Sequence, residues 1–209
     1  MYRTQDVYRT QDWEGDLPSF TLKWDAKGIA AWRDERVAKA LARALKKSGN
    51  RAIRALRAEA KRQVRQRSPI KAKYLADTAL PLTMPSGSAI PDLVWTMRVS
   101  GAAVPLGQFP KRQTKKGVVV TVSRGKSVLI PHAFLALAKR SMKGDSNPIG
   151  VFLRPGKARY PMGHRVGPRV SDLMNSKEII LAIQKRTQEV FSKEFKRIWP
   201  LERDGALGG

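Results

Sequence analysis

The stretch 33–67 limits the fold more than any other part of this chain. It contains no proline and carries 13 Lys or Arg against 3 Asp or Glu. At 100° per residue, twelve of those thirteen cations fall within one arc of about 160°, with Arg67 the exception. Val37, Leu41, Leu45, Ile53, Leu56, Ala60 and Val64 occupy the opposite half. Ala and Arg dominate the segment, and both are strong helix formers. The phasing predicts a helix from about Ala26 to Arg67. Ser68-Pro69 ends it, because the residue before a proline avoids the α region. The two faces stay in phase across Ser48-Gly49-Asn50, so the reading is one helix of roughly 50 Å, at most gently kinked there. Asp34, Glu35 and Glu59 lie on or beside the apolar side. A solvated helix face ordinarily mixes signs to gain i,i+4 pairs. This one does not, so its repulsion is either tolerated for a reason or relieved by a partner.

The imbalance extends beyond the helix. The 209 residues carry a net charge of +24, and the isoelectric point is about 11.0. The excess sits in the middle of the chain, at 33–67 and 68–169, between two near-neutral ends. With 42% hydrophobic residues the chain is not a disordered basic tail. A one-signed field of this extent points to a polyanionic partner, either nucleic acid or an acidic protein surface. There are no cysteines, which excludes disulfides, thiolate metal sites and Cys nucleophiles. Two histidines, His132 and His164, are too few for a zinc site built on imidazole. No segment reaches the ~18 apolar residues of a membrane span. The N-terminus lacks the apolar region of a secretory signal.

The remaining sequence reads as an arm, several strands and a last helix. Tyr2-Arg3-Thr4-Gln5-Asp6 recurs as Tyr8-Arg9-Thr10-Gln11-Asp12, within an N-terminal arm over 1–25. It is either a slipped duplication or an extended arm whose alternate residues lie on a neighbouring subunit. Residues 19–24 alternate polar and apolar, as a short strand does. Residues 70–79 suit a short helix and 81–91 a loop. Period-two patterns at 92–100, 117–123, 126–130 and 149–154 predict strands. Between the first two of these lies a loop with Lys111, Arg112, Lys115 and Lys116. A helix follows from about Ser171 to Trp199, with Leu173, Ile180, Ile183, Val190, Phe191, Phe195 and Ile198 on its apolar face. Pro200 is expected to stop it, leaving 200–209 as a flexible tail. Helices flanking a few strands give an α+β fold with a small antiparallel sheet, as one domain over 26–199.

Catalytic constellations are missing. No phosphate-binding glycine loop, zinc-protease motif or nucleophile elbow occurs. The basic region 68–169 offers only Asp77, Asp92 and Asp145, scattered over predicted helix, strand and loop, where a metal-dependent nuclease needs clustered carboxylates. His132 beside Phe134 reads as a structural hydrogen-bonding residue. The expectation is a non-enzyme with no cofactor, no metal and no small-molecule substrate.

One ordered set of motifs carries a resemblance. It runs from Pro105-Leu106-Gly107-Gln108-Phe109 through the basic loop and the Val-rich strand to Pro131-His132-Ala133-Phe134. It continues with Gly150-Val151-Phe152-Leu153-Arg154-Pro155-Gly156-Lys157-Ala158-Arg159-Tyr160-Pro161-Met162 and ends at Gly167-Pro168. This resembles the minor tail protein Z family of tailed phages, a group of tail-completion and neck proteins. The likeness covers roughly 26–199, and the basic helix and Pro69-Ile70-Lys71 also match. Arg169-Val170 intervenes where the family usually has Ser after Gly-Pro, and the duplicated arm lies outside the family pattern. The resemblance implies a structural virion protein at the head–tail joint, assembled in the host cytoplasm. It implies a ring of copies, six being the usual number, between neighbouring neck and tail proteins and in contact with the end of the packaged double-stranded DNA. Binding would be to phosphates without base readout. Arg36, Arg43, Lys47, Arg54, Lys61 and Arg65 on the helix are the expected contacts, with Lys111, Arg112, Lys115 and Lys116 in the loop and Arg154, Lys157 and Arg159 near the glycine turn. His132, Phe134, Gly150, Phe152, Gly156, Pro161, Gly167 and Pro168 are expected to shape the backbone. Composition alone suits a cellular nucleic-acid-binding protein of ribosomal or nucleoid type equally well.

Overall fold

A computed structural model describes residues 19–22, 35–87, 93–137, 149–156 and 161–207. The duplicated arm, the expected helix start at 26–34, Asp92, Asp145, Lys157 and Arg159 lie outside the described residues. The fold is α+β, with long helices near both ends of the chain and small antiparallel sheets between them. Where the sequence suggests one domain, the chain packs as two compact units interleaved along it. The first comprises the described residues within 1–60, 80–99 and 176–209, and the second those within 61–79 and 100–175.

In the first unit, β1 (Ser19–Leu22), β2 (Leu82–Thr83) and β3 (Trp95–Arg98) form an antiparallel sheet with β3 in the centre. β2 falls inside the expected 81–91 loop. Its two residues carry too little pattern to read, and they form a strand only because β3 offers a ladder (Leu82 opposite Met97). Phe20 pairs with Met97 and Leu22 with Trp95, and all four are buried. The phased segment forms α1 (Glu35–Arg67), one uninterrupted helix. Its buried residues within this unit include Leu41, Leu45, Ile53, Leu56 and Ala60, as the period predicts, and Glu59 is buried among them. Ser48-Gly49-Asn50 does not break the helix but forms a seat for Trp95. Asn50 Oδ1 accepts a hydrogen bond from the indole Nε1 at 2.8 Å. Ser48 Oγ donates back to the Ala44 carbonyl at 2.8 Å, and the missing Gly49 side chain makes room for the ring.

The expected last helix is two helices. Val170–Met174 forms α3, and Asn175 then leaves the helical region with ψ 59°. Ser176 starts the next helix, its carbonyl accepting from Ile180 N at 3.1 Å. Asn and Ser favour such breaks because their side chains compete for backbone groups. The second helix, α4 (Lys177–Leu207), belongs to the first unit and runs straight through Pro200. Residues 201–207 are therefore helical, not a loose tail. Ile179 rather than Ile180 is buried, with Ile183, Thr187, Phe191 and Ile198. Ion pairs join Arg43 and Lys47 to Glu202, and Arg51 to Glu194, so α4 runs antiparallel to α1. The pairs at Glu202 lie beyond Pro200 and hold the turn that a proline would otherwise release.

The second unit begins with the last turns of α1. After them, α2 (Ala72–Tyr74) passes into a π-helical turn at Leu75–Ala79. β4 (Ala103–Pro105) leads through a 3₁₀ turn at Leu106–Gln108 to the meander β5 (Lys111–Thr114), β6 (Gly117–Ser123) and β7 (Lys126–Pro131). The expected basic loop is thus largely strand. Lys111 and Arg112 pair with Val120 and Val119, and only Lys115 and Lys116 form the turn. β8 (Phe134–Leu137), β9 (Ile149–Leu153) and β10 (Gly163–His164) make a second antiparallel sheet, and β11 (Val166–Arg169) pairs with β4. Gly167 and Pro168, expected to shape the backbone, stand just before the expected last helix. They lie in β11, and α3 starts only at Val170. Pro168 is tolerated at an edge, where no ladder donor is required.

Candidate nucleic-acid interface

The cations of α1 divide by unit. In the first, Glu202 receives Arg43 Nε at 2.8 Å and Lys47 Nζ at 2.5 Å. The Arg43 and Lys47 hydrogen bonds hold its carboxyl below the usual carboxylate range. Glu194 lies between Arg197 and Arg51, which hold it low in the same way. Arg36 and Arg54 are exposed on the same helix. The repulsion along this part of the face is relieved from within, by carboxylates on α4.

In the second unit no described strand carries a carboxylate. Residues 100–137 contain no Asp or Glu, against Lys111, Arg112, Lys115, Lys116, Arg124 and Lys126. The turn between β6 and β7 docks on the C-terminal end of α1. Arg124 N donates to the Arg67 carbonyl at 3.1 Å and Arg124 Nε to the Arg65 carbonyl at 2.7 Å. Ser68 Oγ donates to the Val122 carbonyl at 2.5 Å. A guanidinium is favoured there because the last carbonyls of a helix carry partial negative charge. The contact brings Arg65, Arg67, Arg124 and Lys126 to one exposed place, and among the described residues no carboxylate pairs with Arg65, Arg124 or Lys126. Lys61, half-buried, lies one turn back on α1.

Sequence reasoning found Arg65 in this group but missed Arg124 and Lys126. Their one signal is a cationic turn, Arg124-Gly125-Lys126, between a Val-rich strand and a Val-Leu-Ile strand. No spacing in the chain links residue 124 to residue 65.

The other expected contacts are dispersed. Lys111 Nζ donates to the Gly107 carbonyl at 2.7 Å and so braces the strand. Arg112 is exposed on β5. Lys115 and Lys116 are exposed at the far end of the meander, where His132 N donates to the Lys116 carbonyl at 3.1 Å. Arg154 sits 4.9 Å above the Phe134 ring in a cation–π contact, which gives it a packing role.

The motif residues do build backbone and packing. His132, at φ 58°, turns the chain from β7 to β8. Phe134 stacks on Phe152 at 6.3 Å, and Phe152 meets His164 at 5.1 Å. Gly150 is buried in β9 beneath the Phe152 ring. Gly156 lies in an exposed bend and Pro161 is exposed before β10. Among the described residues no three His, Cys, Asp or Glu side chains gather as a metal site would require. No described helix is long and apolar enough to cross a membrane. Comparison with protein-family models, curated proteins and solved structures finds no match to this chain.

Proposed function

We propose that this protein binds double-stranded DNA through its phosphates, as a structural component of a tailed-phage head–tail joint without catalytic turnover. The observation that carries the DNA part is the contrast between the two units. In the first, Arg43, Lys47 and Arg51 pair with carboxylates of α4, whereas the second gathers Arg65, Arg124 and Lys126 beside described strands that lack any carboxylate. Arg124 also braces the end of α1, but among the described residues no carboxylate offsets Arg65, Arg124 or Lys126, and an anion would relieve their mutual repulsion. The phage assignment rests on the ordered motifs from Pro105 to Pro168, and it brings a ring of copies, probed as a hexamer, and neck and tail neighbours into the proposal.

Fluorescence anisotropy with a duplex of arbitrary sequence tests the DNA contacts. Each phosphate contact adds about 0.9 to the magnitude of the log–log salt slope. Changing Arg65, Arg124 and Lys126 together to Gln is expected to lower affinity and reduce that magnitude by about 2–3, without altering sequence preference. An unchanged slope removes the DNA reading. If that variant keeps its DNA affinity but no longer joins tails to heads, the basic surface docks on an acidic protein. Native mass of the purified assembly tests the ring, since a monomer that binds RNA favours a cellular nucleic-acid-binding protein.

A further inference from the structure

Among the described residues the strand β7 has no neighbour on its outer side. The meander has the order β5-β6-β7, so β7 pairs only with β6 among the described residues. Its side chains are open on both faces. Val128 shares a face with buried Val120 yet is 54% exposed, and Leu129, opposite Val119 on the other face, is 42% exposed. Between Lys126-Ser127 and Pro131, the apolar run Val128-Leu129-Ile130 is the part of this edge that can template another strand unless it is covered. Self-pairing of β7 would bring two cationic meanders together, which electrostatics disfavours.

The chain carries a segment suited to this edge. The hexad Tyr2-Arg3-Thr4-Gln5-Asp6-Val7 is followed by Tyr8-Arg9-Thr10-Gln11-Asp12-Trp13. A period of six is even, so in an extended chain both copies present the same faces, whereas on a helix they would point about 120° apart. Tyr, Thr, Val and Trp are the residues that strands favour. A hexad also matches the six residues of Lys126–Pro131 in length. Within 2–13 Arg3 and Arg9 balance Asp6 and Asp12, so the segment brings no net positive charge to a sheet that has only cations, and Glu14 and Asp16 add acid just beyond it.

We infer that residues 2–13 of one copy add as an antiparallel strand to the β7 edge of a second copy. Backbone hydrogen bonds supply the pairing, and Val128 and Leu129 lose water to the hexad side chains. Donation from each copy to the next is a heterologous contact, the kind that closes into rings. The inference concerns self-assembly and not the phosphate contacts, so it is tested without DNA.

Because the chain has no cysteine, two full-length proteins with different tags can each carry a single thiol, Gln5→Cys in one and Leu129→Cys in the other. Mixed and treated with a short bis-maleimide, they are expected to give a crosslinked pair bearing both tags. In hydrogen exchange, amides at 126–130 should be about tenfold slower in the native chain than in one whose residues 2–13 are replaced by Gly and Ser. Leu129→Lys, on an already exposed site, should abolish the slowing while leaving the circular dichroism unchanged. Equal exchange in the native and replaced-arm chains overturns the inference. So does crosslinking only when both thiols are placed in one chain, since the arm would then lie on its own β7.

Discussion

Gly49 illustrates how a residue's worth can oppose its propensity. In an exposed helix Gly→Ala gains about 1 kcal/mol. Here an added methyl would fall within 2.6 Å of Trp95 Cε2, inside a ring that is fully buried and tethered to Asn50. Overpacking of this kind costs about 1–3 kcal/mol and exceeds the propensity gain. Gly49→Ala is therefore expected to lower the urea midpoint, and Gly49→Leu to lower it much further. The sequence marks Ser48-Gly49-Asn50 as an irregularity in a good helix. It does not say that the irregularity is a socket, because the side chain filling it lies 45 residues away.

At the scale of elements, α1 was legible because period and charge agree over nine turns, whereas the end of α4 was not. The rule that proline stops a helix is local, and the force that overrides it comes from Arg43 and Lys47, more than 150 residues upstream of Glu202. Two outcomes follow. Pro200→Ala should raise stability by about 1–3 kcal/mol in urea unfolding, since the proline still costs the helix a hydrogen bond. Glu202→Gln should release 201–207, read as faster amide exchange there, with a global loss of at most about 1 kcal/mol because the partner cations are half-exposed. The pH dependence has a definite sign. The Glu202 and Glu194 carboxyls titrate lower in the fold than in the unfolded chain. Their contribution is complete above the unfolded value, near about 4.3, and is lost as pH falls through the folded values. Circular dichroism between about pH 5 and pH 2.5 should show native α4 weaken in acid, while Glu202→Gln shows a smaller change.

At the scale of the whole molecule, where charge accumulates is legible in the sequence, and which charges remain available is not. Composition cannot distinguish Arg43, clamped by Glu202, from Arg65, gathered with Arg124. Both lie on one phased stripe, and only long-range packing separates them. The strand segments at 117–123 and 126–131 were visible through their β-branched runs. The short strands β4, β8, β10 and β11 were not, because their residues do not alternate polar and apolar. The division predicts an asymmetry between two double variants. Arg43→Gln with Lys47→Gln should lower stability and leave the salt slope of DNA binding unchanged. Arg65→Gln with Arg124→Gln should reduce the slope by about 2.

The clamp between the two long helices also has an order in time. Arg51 precedes Glu194 by 143 residues. At about 5–20 residues per second, the ribosome exposes the cationic face of α1 roughly 7–30 s before its carboxylates are made. Throughout that interval the nearest polyanion is ribosomal RNA. A chain cut before Ser176 stays in that condition permanently, so it should copurify with RNA that high salt removes, whereas the complete chain should bind less of it through this face.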